Sequence, residues 1–70
     1  MDYQELVNHF GSQVETARQL GITQPSVHAW LSGKARMGAV IATKAEIITN
    51  GKFKAVDLCP ELRKISRDAR

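Results

Sequence analysis

Seventy residues, 43% hydrophobic and 24% charged with a formal net charge of +3, bound the chain to one small domain with a marginal core. Such a chain cannot easily wall off a deep pocket and also position several catalytic groups, and no apolar run approaches the roughly 20 residues that span a bilayer. Acids near the N-terminus where a signal peptide carries bases, and the single Cys59, predict a cytoplasmic protein without disulfides.

Charge is unevenly spread. Residues 1–33 hold one base, Arg18, against three acids, a net of −2. Residues 34–70 hold nine bases against four acids, a net of +5. That asymmetry suits a polyanionic partner, although a solvated basic surface gives the same count.

Tyr3, Leu6, Val7 and Phe10 recur at i, i+3, i+4 and i+7, the stripe of a first helix. Asp2 is its expected N-cap, and Gly11 ends it. Ser12 caps a second helix over about 13–20, expected to bury Val14, Ala17 and Leu20. Gly21 permits the left-handed backbone of a sharp turn, with Ile22 as its apolar plug. Thr23 caps a third helix, and Pro25 sits in its first turn, where the missing N–H costs nothing. Val27, Trp30 and Leu31 share one side of it, and Gly33 stops it.

A basic connector, Lys34 to Arg36, leads to a fourth helix over about 38–49. Val40, Ile41, Ala45, Ile47 and Ile48 are expected on its buried face, and Asn50-Gly51 ends it. Residues 52–56 alternate well enough for a short strand, and 56–65 suit an irregular turn and a last short helix. The expected fold is mostly α: four to five short helices with a helix-turn-helix, leaving room for a small C-terminal β element. The domain spans 1–62, followed by a basic tail, 63–70.

The segment QVETARQLGITQPSVHAWLS, residues 13–32, has the layout of a helix-turn-helix. Ala17 lets two helices cross closely, Gly21 turns the chain, and Ile22, Val27 and Trp30 lock the angle. One face of the third helix is then anchored. The other, with Gln24, Pro25, His28, Ala29 and Ser32, carries no charged residue and is free to meet base edges.

The stretches VNHFGSQVETARQLGITQPSVHAWLSG and AEIITNGKFKAVDLCPEL, within residues 7–62, resemble small phage repressors of the Cro type. The resemblance implies a weak homodimer on a pseudo-palindromic double-stranded DNA operator, with the second motif helix in the major groove. It places Gln24, Pro25, His28 and Ala29 at the base-contacting positions and Gln13 at a phosphate. Gln24 suits adenine N6 and N7, worth about 1–3 kcal/mol of discrimination. His28 suits guanine or a phosphate, and Ala29 a thymine methyl. Pro25 departs from the pattern, since relatives place a hydrogen-bonding residue there and proline offers only apolar contact. Thr23, Ser26, Ser32, Lys34 and Arg36 are backbone candidates, joined by Lys44 and Lys52. Three to five phosphates per subunit would give log K a slope of roughly −5 to −9 against log salt.

Blander roles fit several residues. Trp30 is expected in the core rather than stacked on a base, His9 at the surface, and Cys59 as a small buried hydrophobe. Glu5, Glu15 and Glu46 suit solvation or capping better than catalysis. No triad, phosphate loop or metal-ligand spacing is present, so no catalytic group, metal, cofactor, small-molecule substrate or membrane is expected. Phe53 and Leu58 exceed what four small helices need, which makes 52–62 the expected dimer surface. The function expected is operator-specific repression in a phage or prophage, in the cytoplasm at the nucleoid. The alternatives are an antitoxin-type DNA-binding regulator and a helical interaction module without DNA binding.

Overall fold

The computed structural model describes residues 3–62, which hold five short helices, a helical pair at Glu61 and Leu62, and no strand. The cap expected of Asp2 and the basic tail 63–70 lie outside those residues. The chain divides into two compact units between Arg36 and Met37.

The first unit holds α1 (Tyr3–Phe10), α2 (Gln13–Leu20) and α3 (Gln24–Ser32). α1 buries Leu6 and Val7 and packs on both α2 and α3. Ser12 starts α2 as expected: its hydroxyl accepts from the Glu15 N–H at 3.0 Å. Such a cap contributes about 1 kcal/mol.

α2 ends in a left-handed turn at Gly21, φ 70°. The Gly21 N–H donates to the Arg18 carbonyl and the Ile22 N–H to that of Ala17, at 3.3 and 2.9 Å. This paired bonding satisfies carbonyls that the helix end would otherwise leave open. α3 follows after Thr23, whose hydroxyl accepts from the Ser26 N–H at 3.4 Å. Val27 is fully buried and Trp30 nearly so, and Leu31 is half-buried.

Val14 is a correction: it is 59% exposed, and Thr16 is buried in its place. Leu20 centres the inward arc of α2, with Thr16 and Ala17 on its flanks, and Val14 falls beyond its edge. Thr16 tolerates burial because its hydroxyl donates to the Ser12 carbonyl at 2.7 Å.

The second unit holds α4 (Ala39–Ile48) and α5 (Ala55–Leu58), which pack together. The α4 face is another correction. Ala45 is buried as expected, together with Ala42, and Ile41 is half-buried, whereas Val40, Ile47 and Ile48 are exposed. An alanine face admits closer approach than an isoleucine face, and here it is the alanine side that turned inward. Asn50, at φ 55°, and Gly51, at φ 83°, end α4 as expected.

Residues 52–56 form no strand. Glu46 Oε1 instead accepts the Ala55 N–H at 2.6 Å, satisfying a donor of α5 that has no helical partner. Phe53 is 5% exposed and Leu58 0%, so neither is surplus apolar surface. The reason for placing a dimer surface at 52–62 is thereby removed. Cys59 is buried and unpaired, as expected of a small hydrophobe.

Candidate nucleic-acid interface

Burying Val27 and Trp30 fixes which side of α3 faces out. Gln24, Pro25 and His28 are exposed, and Ala29 is half-buried. Gln13, in the first turn of α2, joins three of them: Gln13, Gln24, Pro25 and His28 line an open concavity of about 310 Å³. Gln13 starts α2 and Gln24 and Pro25 start α3, so two helix N-termini border the concavity, with His28 one turn further along α3. Each such end carries partial positive charge, favourable toward phosphate. Amide, imidazole and proline ring together offer hydrogen-bond donors and acceptors beside an apolar patch, with no fixed charge.

The remaining candidates surround this face differently. The hydroxyls of Thr23 and Ser26 lie 3.0 Å apart and bond to one another. The Ser32 hydroxyl donates to the Ala29 carbonyl at 3.2 Å. One of Thr23 and Ser26 keeps a hydroxyl hydrogen not used in their mutual bond, whereas Ser32 would have to re-aim to donate to a phosphate. Lys34 and Arg36 are exposed beyond the left-handed turn at Gly33, where the Lys34 N–H donates to the Ala29 carbonyl at 2.9 Å. Arg18 contributes little net charge because its guanidinium pairs with Glu15 at 2.7 Å. That bond, helped by Gln19, holds the Glu15 carboxyl below its ordinary range. Every residue lining the concavity was legible in the motif; Ala29 stands only half out of the fold.

Residues 3–65 match a family described as "Bacterial toxin YdaS". The chain belongs to this family. It is also similar to "Regulatory protein cro" of Pseudomonas phage D3, 53% identical over 58 residues, which cover 83% of this chain and 80% of that protein. No solved structure matches significantly. In this YdaS-family chain the likeness to a phage regulator agrees with the Cro-type resemblance of the motif. No described helix is long and apolar enough to cross a membrane.

Proposed function

We propose that the chain is a sequence-specific DNA-binding repressor of phage or prophage origin, acting as a dimer on a pseudo-palindromic operator. The observation that carries this reading is the outward side of α3. Gln24, Pro25 and His28 stand exposed and uncharged there, while Val27 and Trp30 hold the opposite side. An α-helix fits the major groove, and uncharged polar side chains read base edges. Lys34 and Arg36 supply phosphate contacts, which set affinity but not sequence. The likeness to a phage regulatory protein supports the same reading. Repression then follows from occupancy: the bound dimer excludes polymerase or a competing regulator, and no bond is made or broken.

The family's description as a toxin favours a second reading, a member of a toxin–antitoxin pair. The two converge if growth arrest itself comes from occupying host promoters, since the same α3 residues would be needed. Selection of bound duplexes from a random pool, followed by titration at two salt concentrations, tests the proposal. A consensus with two-fold symmetry and a steep salt dependence is expected. Absence of duplex binding at low salt would leave an interaction module as the better reading. Expressing a Gln24→Ala, His28→Ala variant separates the toxin routes: toxicity that persists without DNA binding acts through a protein partner.

A further inference from the structure

The side chain of Pro25 holds neither a hydrogen-bond donor nor an acceptor. It nevertheless stands exposed in the first turn of α3, beside Gln24 and one turn before the exposed His28. These three and Gln13 line the open concavity, and the proline ring is the one wholly apolar side chain among the four. Ala29, the other small apolar group on this side of α3, is half-buried and is not part of the lining. The surface turned toward base edges is thus an apolar ring set among amide and imidazole groups, without charge. We infer that Pro25, rather than Ala29, reads the C5-methyl group of a thymine and so distinguishes thymine from bases that carry no methyl in the major groove.

The chemistry of the groove selects this occupant. Thymine alone among the unmodified bases presents a methyl group in the major groove; the others present donors and acceptors. Such polar groups would lose water against a proline ring and gain no bond in return, which is unfavourable. A methyl group gains by leaving water. A phosphate fits no better than a polar base edge, since the ring offers it neither a donor nor a charge. Spacing along the helix then places the thymine. Neighbouring Cα atoms are about 3.8 Å apart and stacked bases about 3.4 Å, so it lies within about two base pairs of the pair read by Gln24. Moving one methyl from water onto the ring changes binding about fourfold per half-site. The inference rests on the operator reading and adds to it the base recognised at one position.

Deoxyuridine tests this directly, because it keeps the pairing and the O4 acceptor of thymine and lacks only the methyl. Each thymine of the selected operator is replaced in turn, in both half-sites together, and binding of the full chain is followed by fluorescence anisotropy. With wild type, one position near the pair read by Gln24 should weaken binding about fourfold per half-site. With Pro25→Ala, thymine and deoxyuridine at that position should bind alike. Pro25→Val keeps an aliphatic side chain and should keep the preference. This cycle separates contact from structure: a proline needed only to start α3 would weaken both duplexes equally and leave their ratio unchanged. An unchanged ratio in Pro25→Ala would overturn the inference, as would loss of the preference in Pro25→Val or a sensitive thymine far from the Gln24 pair. A symmetric consensus with no deoxyuridine-sensitive position sinks this inference alone; absence of any consensus sinks the operator reading with it.

Discussion

The rings of Tyr3 and Trp30 lie 5.8 Å apart, centroid to centroid, tilted by 38°. This pair ties α1 to the inward side of α3, so the helix proposed to meet DNA is held from behind by an aromatic contact. Trp30→Ala should cost about 3–5 kcal/mol. A chain of this length is stable by only about 4–10 kcal/mol, so that variant should lose a large share of its stability and unfold at a much lower urea concentration than wild type. Tyr3→Leu keeps an apolar side chain and loses the ring pair, which contributes about 1 kcal/mol. If Trp30→Ala melts like wild type, the indole does not anchor α3.

Base reading and charge should separate in binding. Gln24→Ala should relax preference at one base pair per half-site, a loss of about 1–3 kcal/mol against the best operator and almost none against random duplex. Lys34→Ala should weaken both alike and flatten the salt slope by about 1 per subunit. Fluorescence anisotropy on the two duplexes at several salt concentrations checks both. Equal losses for Gln24→Ala on specific and random DNA would remove it from base readout.

Gly33 isolates a backbone effect. It stands at φ 81°, and an added Cβ would meet no other atom within 4 Å. Gly33→Ala should therefore destabilise by roughly 1–2 kcal/mol through the left-handed conformation alone. Gly33→Asn should recover part of this, because asparagine tolerates that region better. Chemical denaturation of the two variants gives the comparison; a neutral Gly33→Ala would mean that the turn relaxes.

Glu15 gives a pH dependence of known sign. The Arg18 hydrogen bond, then Gln19, lowers its folded pKa below the unfolded one. Its contribution is thus present above the unfolded pKa and lost as pH falls through the folded value. Arg18 is exposed and Glu15 partly so, and the effect is small and weakened by salt. In an NMR titration, the Glu15 carboxyl should move back toward its ordinary pKa in Arg18→Ala and at high salt. A Glu15 pKa insensitive to both would show that the pair does not persist in solution.

Local chemistry alone determined where most of this chain turns. Gly11, Ser12, Gly21, Thr23, Gly33 and Asn50-Gly51 bound their helices because each satisfies, by cap or by positive φ, a demand set within a few residues. The candidate face of α3 was equally legible, since Val27 and Trp30 leave only one side outward. Which side of α2 and α4 turned inward was decided by packing. Thr16 displaced Val14 because its hydroxyl found a carbonyl one turn back, and Ala42 joined the expected Ala45 inside while Val40, Ile47 and Ile48 turned outward. Residues 52–56 alternate like a strand, yet the Glu46 carboxylate, nine residues before Ala55, caps a helical turn instead. Periodicity ranks residues by hydrophobicity, whereas the folded chain also weighs volume and hydrogen-bond partners, and those exist only once the elements have met.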